Sequence, residues 1–146
     1  MVLSEKQKLR IPSRVENIIL VERMVEDVCD LYNISEDYYG NILIALTEAV
    51  NNAIYHGNAA NPNKNIDIFF KSFTDHVSFI VKDEGPGFNF NNLPDPTNPE
   101  NIEKQNGRGV FLMRNLADNV SFEDNGSTVI LDFNVITNDK AQPKNS

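Results

Sequence analysis

The chain has 146 residues, 40% hydrophobic and 23% charged, and its 13 Lys and Arg against 21 Asp and Glu leave a formal net charge of −8. That length fits one domain, able to bury roughly two-thirds of its unfolded surface in a single core, and the acidic balance weighs against a nucleic-acid backbone or an anionic membrane as partner. One cysteine, Cys29, excludes an internal disulfide, and the longest strongly apolar run, residues 42–46, is far short of the ~20 residues a membrane helix needs.

Residues 1–10 carry Glu5, Lys6, Lys8 and Arg10 with no apolar segment of the signal-peptide kind, so the cytoplasm is the expected compartment. Residues 8–11 alternate and run into Pro12, which predicts a short edge strand. Ser13 and Glu16 have the spacing of a capping box, predicting a helix whose apolar positions are Val15, Ile18, Ile19, Val21, Val25, Val28 and Leu31 and which ends near Asn33. Cys29 lies inside that pattern and reads as buried packing. Ser35 is placed to cap a second helix, with Glu36 and Asp37 in its first turn, running from about Glu36 to His56 and stopped by Gly57 and an amide-rich loop.

In that second helix Glu48, Asn52 and His56 recur every fourth residue, which stacks them as one polar stripe beside an apolar stripe of Ile42, Leu46, Ala49, Val50 and Ala53. A carboxylate and a carboxamide on the flank of a packed helix can hold hydrated Mg²⁺ and activate a hydroxyl, since both offer hard oxygens. The same pattern also describes a solvated helix face with a C-terminal glycine.

Residues 65–73 and 76–82 alternate and predict an antiparallel hairpin with His76 exposed at its turn. The second strand runs into Asp83, Gly85, Pro86, Gly87 and Phe88. Glycines there let the backbone turn sharply and approach a flat ligand, and a strand-end Asp can accept from an exocyclic amine; an ordinary turn with a solvated Asp is the alternative. Residues 89–106, rich in Asn and Pro, predict a lid or a disordered segment. Gly107, Arg108 and Gly109 then open a helical run through Leu112, Met113 and Leu116, where exposed amides and the helix dipole suit a phosphate; an ordinary helix entry is the alternative. Residues 120–122 and 128–135 predict strands joined at Asn125-Gly126, with Val129, Leu131, Phe133 and Val135 facing one way. Residues 137–146 turn polar and predict a disordered tail after a domain spanning 1–136.

Taken in order, Glu48-x-x-x-Asn52-Ala53-x-x-His56-Gly57, Asp83-x-Gly85-x-Gly87-Phe88 and Gly107-x-Gly109-x-x-Leu112-Met113 resemble the three boxes of the GHKL, or histidine-kinase-like, ATPases. Within them the chain most resembles the small anti-sigma-factor serine kinases of the RsbW and SpoIIAB type, over roughly residues 10–135. The resemblance implies an α+β fold: a two-layer α/β sandwich of the Bergerat ATP-binding kind, its mixed, mostly antiparallel sheet covered on one face by helices. It implies ATP and Mg²⁺ as ligands, with Asn52 on the metal, Glu48 as general base, Asp83 on the adenine amine and Gly85 and Gly87 beside the base. Gly107 and Gly109 match the glycines at the phosphate end, and Arg108 stands between them as a candidate cation. His56 and Gly57 match the end of the first box, in a packing or a catalytic role.

Where relatives of the SpoIIAB kind carry an arginine shortly before the last glycines, this chain has Gln105-Asn106, with Lys104 or Arg108 as candidate replacements. The resemblance thus implies a protein serine/threonine kinase and anti-sigma factor. Its partners would be an antagonist of the STAS class and a sigma factor, and a homodimer is compatible with it. The alternative is an ATP-binding interaction module with little or no kinase activity, and a third reading is the ATPase half of a sensor histidine kinase.

Overall fold

The computed structural model describes residues 7–86 and 105–135, with the side chains of residues 105–108 excepted. The element order is β1 (Lys8–Pro12), α1 (Ile18–Leu31), α2 (Glu36–Asn52), β2 (Asn65–Ser72), β3 (Val77–Lys82), α3 (Gln105–Leu116), β4 (Asn119–Glu123) and β5 (Thr128–Phe133). The strands form one five-stranded sheet in the order β1-β2-β3-β5-β4. All four described pairings are antiparallel, so the α+β, helix-covered sheet expected from the sequence is present without a parallel pair among the described residues. Of the lid expected at 89–106, residues 105–106 belong to α3 and 89–104 lie outside the described residues, as do residues 1–6 and the tail at 137–146.

Alternation places one face of the sheet in the core. Ile11, Ile66, Ile68, Phe70, Val77, Phe79, Val81, Val129, Leu131 and Phe133 are buried, and register sets Phe70 opposite Phe79 and Phe79 opposite Leu131. Tyr32, Phe70, Phe79 and Phe133 continue this core as a run of tilted and edge-on rings with centroids 4.9 to 6.3 Å apart, the geometry that ring quadrupoles favour. The opposite face is mixed: Phe69, Ile80 and Ile130 lie in register across β2, β3 and β5, while Arg10 pairs with Asp67 through Nε at 2.7 Å and Lys8 and Lys82 both lie over the Phe69 ring.

The helices bury the other layer. In α1, Val21, Met24, Val25, Val28 and Cys29 face the core, spaced as one side of a 3.6-residue helix. Its end is a Schellman motif: Ile34 N–H donates to Cys29 O at 2.9 Å and Asn33 N–H to Asp30 O at 3.4 Å, with Asn33 at φ 54°. Ser35 Oγ accepts the Asp37 N–H at 3.2 Å and caps α2 as expected. The Asn125-Gly126 signal also turns the chain as expected, with φ of 59° and 94° between β4 and β5.

Two expectations fail for physical reasons. Ser13 does not cap α1. Its hydroxyl is buried and instead donates to Lys64 O at 2.8 Å while accepting from Asn58 Nδ2 at 2.8 Å. The helix is entered through a 3-10 turn, Val15–Asn17, and Val15 and Ile19, assigned to the core stripe, are 53% and 55% exposed. The second helix also stops being an α-helix early. After Asn52 the backbone widens into a π-helical turn, Ala53–Gly57, with Asn58 N–H donating to Ala53 O at 2.8 Å. Such turns concentrate at functional sites. His56 lies in that turn and is exposed.

Candidate functional site

The end of α2 and the end of β3 meet through two glycines and an aspartate. Pairing with β5 carries β3 to Asp83, whose N–H donates to Ser127 O at 2.9 Å. Its Oδ1 then accepts the Gly85 N–H at 2.8 Å, the local bond by which Asp closes a turn two residues on. Gly57 lies against this carboxylate: a β-carbon there would stand 2.2 Å from Asp83 Oδ2, and one on Gly85 would stand 1.8 Å from Gly57 O. Both positions need glycine because backbone and carboxylate occupy the space a side chain would fill. Burial raises the Asp83 pKa above its ordinary value, with the Gly85 N–H and Lys64 acting the other way.

Asp83 lines a small cavity whose apolar walls come from Ala49 of α2, Ala53 of the π turn, Val81 of β3, Met113 of α3 and Val129 of β5. Apolar walls with one carboxylate at the edge are suited to a planar, amine-bearing base. At about 10 Å³ the cavity holds roughly one water, so a base enters only as the walls move apart.

Asn52 reaches the same cavity from α2. It is 8% exposed, and its Nδ2 is buried without a hydrogen-bond partner among the described residues. An orphaned buried amide costs about 1–3 kcal/mol, a cost that a polar ligand removes. Glu48 stands one turn earlier and is half-buried. The first turns of α3 close over both: a β-carbon on Gly109 would lie 3.2 Å from Asn52 Oδ1, 3.2 Å from Glu48 Oε2 and 3.3 Å from Asn52 Nδ2.

Glu48, Asn52 and Gly109 therefore meet at one point, Asp83, Gly85 and Gly57 at another, and the cavity connects them. Gly107 lies in the first turn of α3, which begins at Gln105, so both glycines are inside the helix rather than ahead of it. Gly87 and the side chain of Arg108 lie outside the described residues. His56 has its pKa lowered by partial burial and does not line the cavity; the packing role at the end of the first box belongs to Gly57. One wall, Val129, reads from sequence only as core periodicity, because an apolar wall and a core position carry the same signal.

Asn52 and Glu48 offer hard oxygen atoms of the kind Mg²⁺ takes. No group of three or more His, Cys, Asp or Glu that could hold a metal occurs among the described residues. Asn52, with Glu48 beside it, offers only a partial shell, as expected for an ion that keeps its waters and takes its other oxygens from substrate phosphates. No helix among the described residues is long and apolar enough to cross a membrane.

Comparison of the sequence with known proteins identifies a family. The chain is 28% identical over 134 residues to the serine-protein kinase RsbW of Bacillus cereus (strain Q1), covering 87% of this chain and 83% of that protein. The same identity and coverage hold for the serine-protein kinases RsbW of Bacillus mycoides (strain KBAB4) and Bacillus anthracis (strain CDC 684 / NRRL 3495). The family model described as the histidine kinase-like ATPase domain matches residues 11–133, nearly all of the sheet and its helices, and the chain belongs to that family.

Proposed function

We propose that this protein is an Mg-ATP-dependent serine kinase that also acts as an anti-sigma factor, phosphorylating a serine on an antagonist of the STAS class in a bacterial cytoplasm. The observation that carries the reading is the convergence of Glu48, Asn52 and Gly109 beside a cavity edged by Asp83. Likeness to proteins named serine-protein kinase RsbW supports the choice of serine as acceptor.

In this reading the cavity takes the adenine, with Asp83 accepting from its amine, and the Gly85 turn lies beside the base with Gly87. Asn52, its carboxamide oxygen toward the metal, would hold Mg²⁺, and Gly107, Gly109 and Arg108 are assigned to the phosphates. The metal supplies charge neutralisation at the phosphate oxygens. Glu48 accepts the proton of the partner's serine hydroxyl. The serine oxygen bonds to the γ-phosphorus, and the bond from that phosphorus to the bridging oxygen breaks, with ADP leaving. Positioning and electrostatics dominate such transfers. A homodimer and a sigma factor are further partners within the same proposal.

Glu48→Gln tests the assignment. Removing the base while keeping the shape should leave Mg-ATP affinity within about threefold and lower phosphotransfer by about 10²-fold or more. Should the wild-type protein transfer no labelled phosphate to a bound STAS partner, the interaction-module reading that Gln105-Asn106 suggests takes its place.

A further inference from the structure

We propose that Asn58 is a positioning residue that sets the Asp83 turn for the exocyclic amine of adenine, an inference that rests on the nucleotide reading above. Asn58 directly follows the π-helical turn of α2 and is 1% exposed. Its Nδ2 donates to Ser13 Oγ at 2.8 Å and to Asn65 O at 3.0 Å. Its Oδ1 accepts the Glu84 N–H at 2.7 Å. Its own N–H donates to Ala53 O, and its carbonyl accepts the Asn61 N–H.

One carboxamide thus ties the exit of β1, the start of β2 and the turn after β3 to the end of α2. A buried amide with both hydrogens and its oxygen engaged fixes one arrangement of those segments, because any other leaves polar atoms unpaired in the core.

The Glu84 contact gives this hub its functional consequence. The Asp83 N–H is held by Ser127 O, and the next N–H, that of Glu84, is held by Asn58. The peptide groups on either side of Asp83 are therefore both anchored, and the carboxylate is aimed by the backbone that carries it. Without Asn58 the Glu84 N–H loses its partner, and the segment after Asp83 is left with the Glu84 carboxylate on the Asn65 N–H and the Gly85 N–H on Asp83, so the Asp83 carboxylate is less firmly seated against Gly57. Asn58 touches neither base nor phosphate; it acts through Asp83.

The test compares affinities of Mg-ATP and of the magnesium complex of purine riboside 5′-triphosphate, which lacks the amine, by calorimetry on the full chain. Wild-type protein should prefer ATP by tenfold or more. Asn58→Ala should narrow that preference at least fivefold by weakening ATP binding while the deaminated analogue stays within twofold. Asn58→Ser keeps a hydroxyl for the buried groups around it but is too short to reach the Glu84 N–H; it carries the same expectation and is decisive if the alanine variant does not fold. A loss shared equally by both nucleotides, leaving their ratio unchanged, overturns the positioning role and makes Asn58 a purely structural residue. A wild-type ratio near one removes the Asp83–amine contact itself, and the proposal with it.

Discussion

Gly57 and Asp83, separated by 26 positions, lie so close that a β-carbon on the glycine would stand 2.2 Å from one carboxylate oxygen and 2.7 Å from the other. The first and second sequence boxes are therefore one packed unit, and the end of α2 shapes the seat of the strand-end aspartate. We predict that Gly57→Ala pushes the carboxylate off that seat, lowering stability by about 1–3 kcal/mol as other overpacked sites do and ATP affinity by about tenfold or more. Calorimetry with Mg-ATP reads the second effect, and wild-type affinity in the alanine variant would contradict it.

Asp83 should set stability against function. Burial raises its folded-state pKa above the ordinary 3.8, so the folded protein binds more protons than the unfolded chain at pH values just above 3.8. Stability from this group is consequently highest at low pH and declines as pH rises through the folded pKa. Asp83→Asn removes the buried charge. The variant should therefore lose less stability than wild type across that window and be the more stable apo-protein at pH 7. Its ATP affinity should fall, since hydrogen bonds to charged groups contribute about 1.5–3 kcal/mol. Thermal unfolding as a function of pH checks the first claim; identical pH dependence in the two proteins would refute it.

Ala59 and Ala60, exposed after the π turn, have φ of 52° and 55°. A side chain in this region costs about 1–2 kcal/mol relative to the right-handed one, whereas glycine tolerates it but loses more chain entropy on folding. The balance favours glycine modestly. We predict that Ala60→Gly stabilises the protein by up to about 1 kcal/mol, seen as a higher urea midpoint at unchanged slope. A lower midpoint would show that the alanine methyl contributes packing that offsets the strain.

Period-two alternation made β2, β3 and β5 readable in the sequence, because each is half-buried in an antiparallel sheet and its core side chains must repeat every second residue. Ser35 and Asn125-Gly126 were readable because caps and tight turns are set by a few adjacent residues. Ser13 was misleading for the complementary reason: a buried hydroxyl takes whichever partners the fold supplies, and Lys64 and Asn58, 51 and 45 positions away, outcompeted a local cap. The π turn at 53–57 was hidden because no local residue pattern distinguishes it from a continuing α-helix. Asn58, an apparent loop residue, gave no local sign of the four segments it joins. For the candidate site, residue types and order were legible, while the approach of Gly109 to Glu48 and Asn52 depends on how α3 packs on α2.

That approach yields a prediction in which fold and function part. Gly109 is the fifth residue of α3, and an added β-carbon would meet Asn52 and Glu48 side-chain atoms at 3.2–3.3 Å. This is tight but not a clash with backbone, and side chains can yield a few tenths of an ångström. Replacing glycine by alanine inside a helix favours the helix by about 1 kcal/mol, which offsets the crowding. Gly109→Ala should therefore leave the unfolding temperature unchanged or slightly raised. The added methyl nevertheless occupies the point between the proposed metal residue and the proposed base, where phosphate oxygens must pass. Phosphotransfer to the partner serine should fall at least tenfold, and Gly109→Val, with two more carbons in the same place, should abolish it. Full phosphotransfer by the alanine variant would place the phosphates elsewhere and remove Gly109 from the site.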